Sequence, residues 1–123
     1  IQRSRGLGDV YKRQSYKYYM KLNQFQKLVS QPCIKMYFSK AYGLELMFVL
    51  DHAESAESDN GIDDTFDAIQ FNKPRRAAFS EFINQLEMSG FLIKRLSDMK
   101  ASKKVLRLSK EARQAFAEFN KSI

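Results

Sequence analysis

Apolar residues recur along most of this chain at helical spacing. Met20 to Ser30 places Leu22, Phe25, Leu28 and Val29 on one side of a short packing helix, which Gln31-Pro32 should end. Cys33 to Tyr42 mixes Ile34, Met36, Tyr37 and Phe38 and leans towards helix, with Gly43 as its breaker. Leu44 to Ala53 is apolar almost all round, the pattern of a helix buried at the centre of a small domain. A polar loop, AESAESDNGID, follows. Asp64 is expected to cap a short helix that runs through Phe66 and Ile69 to Gln70, with Asp67 three residues on. Asn72-Lys73 then turns the chain into the stretch around which the rest is organised.

That stretch runs from Pro74 to Ser109. Phe79, Phe82, Ile83 and Leu86 fall at i, i+3, i+4 and i+7, so a helix is predicted over 74–88 with Arg76, Ser80 and Asn84 on its polar face. Pro74 suits the first turn, and Ser89-Gly90 supplies a stop. Beyond it, Phe91 to Arg95 and Lys104 to Leu108 alternate as two strands joined by the polar connection LSDMKASK. Lys94, Arg95, Lys100, Lys103, Lys104 and Arg107 decorate this hairpin with positive charge. A closing helix from Lys110 to Ile123, capped by Ser109, carries Ala112, Ala115, Phe116, Phe119 and Ile123 along one stripe. That stripe must be buried against its own domain or a partner copy.

The predicted class is therefore mainly α with a small β-hairpin. Three consecutive helices, a tight turn before the last, a basic hairpin and a closing helix give the order of the winged helix-turn-helix. In that motif the second helix of the turn enters the major groove, where Arg75 and Arg76 would reach base edges and Ser80 a base or phosphate. Lys73 is better placed for phosphate. A solvated hairpin with ordinary lysines is the plainer account of the charge.

Composition narrows the picture. With 123 residues, 44% hydrophobic and 28% charged, the chain reads as one domain over residues 20–123. The longest apolar run is far short of the roughly 20 residues a membrane helix needs. A secretory apolar core is not seen at the N-terminus, and the single cysteine fits a reducing compartment, so the expected location is cytoplasmic. The formal net charge of +7 is partly owed to the first residues. IQRSRGLGDVYKRQ has no apolar periodicity, and its tail DVYKRQ resembles the translation of a transposon adapter used in sequencing-library preparation. Residues 1–14 are thus expected to be an artefact without order, and Met20 a natural start. A basic nucleic-acid-binding arm is the competing reading of Arg3, Arg5, Lys12 and Arg13.

A sharper charge signal lies within the domain. Residues 45–70 hold eight acids (Glu45, Asp51, Glu54, Glu57, Asp59, Asp63, Asp64 and Asp67) and no Lys or Arg, whereas residues 71–113 are strongly basic. One face meeting a polyanion and another avoiding it would explain this division. A divalent-metal role for Glu57, Asp59, Asp63 and Asp64 does not match the spacing of a calcium loop. For catalysis there is one histidine, His52, and no nucleophile elbow or phosphate loop. No enzyme, cofactor or metal is therefore expected.

From about Leu44 to Phe116 the chain resembles the multiple-antibiotic-resistance regulator (MarR-type) winged-helix family. The similar stretches are INQLEMSGFLIKR, like that family's helix end and first wing strand, and VLRLSKEARQAF, like its second wing strand and following helix. The resemblance implies a homodimeric transcriptional regulator on double-stranded DNA, with residues 74–88 as recognition helix and 96–103 as minor-groove wing. It also implies dimerisation through N- and C-terminal helices. Where the family has an Asp-x-Arg pair before the second wing strand, this chain has Lys100 and Ser102, so Lys103 and Lys104 are expected to make the phosphate contact. Some members sense oxidants through an N-terminal cysteine, although a plain buried residue is the simpler reading of Cys33. A winged protein-interaction module and a replication-initiator-type domain are the alternatives, since fold alone does not choose among them.

Overall fold

The computed structural model describes residues 2–100 and 102–122, with side chains from Ser15 onward. It is mainly helical, with one antiparallel hairpin. The elements are α1 (Gln2–Val29), α2 (Pro32–Phe38), α3 (Gly43–Ser55), α4 (Ile62–Ala68), α5 (Arg76–Met88), β1 (Leu92–Leu96), β2 (Lys104–Leu108) and α6 (Lys110–Ser122). None of the described helices is long and apolar enough to cross a membrane.

The stripes of α5 and α6 form the core as expected, whereas of the α1 stripe Leu28 and Val29 pack against it and Leu22 and Phe25 stay exposed. Phe79, Phe82, Ile83 and Leu86 of α5 meet Leu46, Met47 and Leu50 of α3 and Ile34 and Tyr37 of α2. Aromatic edges lock the centre, with Tyr42 against Phe82 at 5.7 Å and Phe79 at 6.0 Å between ring centroids. The Tyr37 hydroxyl donates to the Phe91 carbonyl at 2.9 Å, which ties α2 to the entry of the hairpin. The closing stripe buries itself on its own domain. Phe116 packs on Phe48 of α3, and Phe119 on Phe38 and Phe25. The Ser109 hydroxyl accepts from the Ala112 N–H at 3.2 Å and caps α6 as predicted, while Ile123 lies outside the described residues.

Several boundaries move, each for a local reason. Helix α1 begins at Gln2 rather than Met20, through the leader expected to lack order. The side chains of Arg3, Arg5, Lys12 and Arg13 are outside those described. Pro32 ends α1 but also opens α2, because its missing N–H costs nothing at a first turn. Gly43 does not break a helix; it starts α3. A Cβ there would lie 1.6 Å from the Tyr37 carbonyl oxygen, so only glycine lets the backbones of α2 and α3 approach this closely. On α3, Leu44 and Phe48 remain partly exposed, and His52 is on the surface.

Asp64 is not the N-cap of α4. The helix starts one turn earlier, and Asp64 reaches back from its third position to the Gly61 N–H at 3.2 Å. Pro74 and Arg75 likewise precede α5, with Arg75 as N-cap in extended backbone. The turn before them uses Asn72 at φ 51°, a conformation asparagine tolerates. Glu45 of α3 braces this turn by accepting from the Gln70 and Phe71 N–H groups at 3.0 and 2.9 Å. At its other end α5 stops in a Schellman motif: Gly90 sits at φ 81°, Phe91 N–H donates to the Leu86 carbonyl, and Gly90 N–H to that of Glu87.

The strands pair from Leu92 opposite Leu108 to Leu96 opposite Lys104. On the other edge of β2, the Leu106 N–H donates to the Asn60 carbonyl at 3.0 Å. Strand β2 is thereby the inner strand, packed against α3, α4 and α6.

Candidate nucleic-acid interface

The predicted site residues form two groups on neighbouring elements. The first is at the start of α5. Arg75 is exposed and takes part in no ion pair among the described residues. Lys73 is exposed too, with its ammonium 4.5 Å from the Phe66 ring centroid, within cation–π range. Arg76 and Ser80 do share a face, and the guanidinium donates to the Ser80 hydroxyl at 2.7 Å. Arg76 is also paired with Asp63 of α4 and lies over the Phe66 ring at 5.6 Å.

The second group is the hairpin. Arg95, Lys100, Ser102 and Lys104 are exposed, and the three cations form no ion pair among the described residues. Lys94 instead turns to α5, donating to Asn84 at 3.0 Å and lying 3.5 Å from Glu87. Lys103 does not extend into solvent as expected. Its ammonium donates to Asp64 at 2.8 Å and lies 3.8 Å from Asp59. That hydrogen bond, with the one from Gly61, lowers the Asp64 pKa, and Asp64 in turn raises that of Lys103.

Arg107 departs furthest from expectation. It is 2% exposed, with its guanidinium on the Leu106 and Ser58 carbonyls and beside Glu54 at 3.2 Å. Burial first, and Arg95 second, push its pKa down, while Glu54 and Asp59 oppose them; an arginine stays charged under such pressure. Glu54 also meets Arg113 at 3.5 Å. The acidic segment and the basic hairpin therefore do not occupy opposite faces. They fold against each other: residues 58–64 run beside β2 and bring Asp59 and Asp64 to Lys103 just before it, while Glu54 of α3 meets Arg107 within it.

One residue escaped the sequence reading. Ser97 organises the hairpin turn, its hydroxyl donating to Asp59 and accepting from the Met99 and Lys100 N–H groups at 3.0 and 3.1 Å. Its N–H also donates to the Lys103 carbonyl at 2.8 Å. A serine leading a polar turn is the local signal for such a bond, but its link to Asp59 spans 38 positions and has none. Cys33 is buried, and its thiol is pushed up to about 12 by burial first and Glu111 second, so it is neutral at ordinary pH.

Compared with protein-family models, curated proteins and solved structures, the chain matches none.

Proposed function

We propose that the chain is a sequence-specific, double-stranded-DNA-binding transcription regulator of winged helix-turn-helix form, acting in the cytoplasm and resembling the MarR-type family. The observation that carries this reading is the exposed start of α5. Arg75 stands free at its N-cap, with Arg76 and Ser80 along the outward face, and the helix runs through one glycine turn into a hairpin with outward Arg95, Lys100 and Lys104. Helix α5 would lie in the major groove, and the basic wing, residues 96–103, on the backbone or in the minor groove. Arg75 then serves base edges, and Lys73, Lys100, Ser102 and Lys104 serve phosphate.

A homodimer through the terminal helices completes the proposal. Helix α1 leaves Tyr16, Tyr18, Tyr19, Met20, Leu22 and Phe25 substantially exposed. A groove of about 490 Å³ between α1 and the end of α6 includes Tyr18, Leu22 and Phe25 in its lining. An apolar face of this kind is suited to a second copy.

The pairing of Arg76 and Lys103 with acids favours a second reading, a protein-interaction module whose cations hold the fold together. Titration against random and genomic duplexes at several salt concentrations separates the two. DNA binding predicts that log K falls linearly with log salt, by about 0.9 per phosphate neutralised. Failure to bind any duplex at low salt would remove the regulator reading and leave the interaction module.

A further inference from the structure

The first turn of α4 touches both proposed DNA-reading elements. Asp63 holds Arg76 of α5, and its neighbour Asp64 holds Lys103 at the base of the hairpin turn. Asp59, just before the helix, stands 3.8 Å from the same ammonium and accepts from Ser97. Acids in a first helical turn are favoured by the helix dipole, which accounts for their presence in α4. It does not account for where their charges lie. Two adjacent carboxylates end on one cation each, from two different elements that the proposed DNA complex requires.

A carboxylate on a guanidinium or ammonium makes the same charge-assisted bond that a phosphate oxygen would. All four groups remain within reach of solvent: side-chain exposure is 42% for Arg76, 78% for Asp63, 32% for Lys103 and 46% for Asp64. Neither pair is sealed in the core, so each can exchange one anion for another without unfolding. On the reading of the chain as a DNA-binding protein, we infer that Asp63 and Asp64 are internal competitors for phosphate, which occupy Arg76 and Lys103 until the DNA backbone displaces them. Affinity for arbitrary DNA is thereby reduced. Arg75, Arg95, Lys100 and Lys104 carry the initial encounter, and Arg76 and Lys103 join only where the duplex fits closely enough to outcompete a tethered acid.

The test compares the full chain with Asp63→Asn, Asp64→Asn and the double variant, each checked for an unchanged melting profile. Asparagine keeps the shape and leaves an oxygen for the Gly61 N–H. Affinity for random duplex at low salt should rise about 2- to 5-fold per position, the range of an exposed ion pair. The slope of log K against log salt should steepen by about 0.9 for each cation released. Without DNA, acetylation of the Lys103 amine followed by mass spectrometry should be faster in Asp64→Asn than in the parent. If the parent binds DNA and the variants bind equally or less tightly, the competition is refuted while the DNA reading stands. Unchanged Lys103 acetylation refutes the Asp64 arm whatever happens with DNA. If no protein in the set binds duplex at low salt, the DNA reading itself fails, and the inference with it.

Discussion

The two strands of the hairpin have the same length and opposite fates. In β1 only Leu92 is buried, and Ile93, Arg95 and Leu96 are exposed; in β2 only Lys104 is exposed, and Val105, Leu106, Arg107 and Leu108 are buried. The difference is position. Strand β2 has β1 on one edge and the Asn60 backbone on the other, with α3, α4 and α6 against it, whereas the free edge of β1 meets solvent. A cation in the middle of the outer strand, Arg95, is left exposed, whereas one in the middle of the inner strand, Arg107, becomes part of the fold; Lys104, at the start of β2, escapes that burial. Arg95 and Arg107, alike as residues, are separated by this alone.

The sharpest way to break the comparison is Arg107→Ala. Removing the buried guanidinium leaves the Ser58 carbonyl without its partner and Glu54 with Arg113 in place of two cations, and we expect a loss of about 3 kcal/mol by denaturant unfolding. A loss near zero would show that β2 is not the inner strand. Tyr37→Phe should cost about 1.5 kcal/mol in the same assay, since the buried Phe91 carbonyl loses the hydroxyl that anchors the start of the hairpin. Gly90→Ala should cost about 1 kcal/mol, entirely from the positive φ, because a Cβ there meets nothing within 4 Å.

Acid provides a weaker perturbation of the inner side. The Asp64 carboxyl is lowered by Lys103 and Gly61, so its contribution is present above the ordinary carboxylate value of 3.8. It is lost as pH falls from there through the lowered folded pKa. Asp64→Asn should therefore flatten the stability profile below about pH 4, with little change near neutrality because the pair is exposed. Smallest in stability is Arg95→Ala on the outer strand, expected within about 0.5 kcal/mol of the parent. If the DNA reading holds, that same variant lowers affinity for all sequences alike and makes the salt slope shallower by about 0.9.

Local pattern accounts for most of the framework. The stripe of α5, the cap at Ser109, the glycine stop at Gly90 and the turn at Asn72 are governed by residues a few positions apart, so periodicity and turn chemistry suffice to locate them. Elements whose ends depend on a neighbour are less legible. Gly43 looks like a breaker until the Tyr37 carbonyl is found beside it, and Asp64 looks like a cap because the Gly61 backbone that it serves carries no side-chain signal.

For the candidate interface the division is stricter. By itself the sequence determined that bases cluster after residue 71, that acids cluster before it, and that a helix precedes a hairpin. Only the tertiary structure decided which charges remain outside. Arg76 and Lys103 find acids 13 and 39 positions away, and Arg107 finds its carbonyl 49 positions away. The physical reason is that charge is a property of the residue, whereas its availability depends on what the folded chain brings within about 4 Å of it.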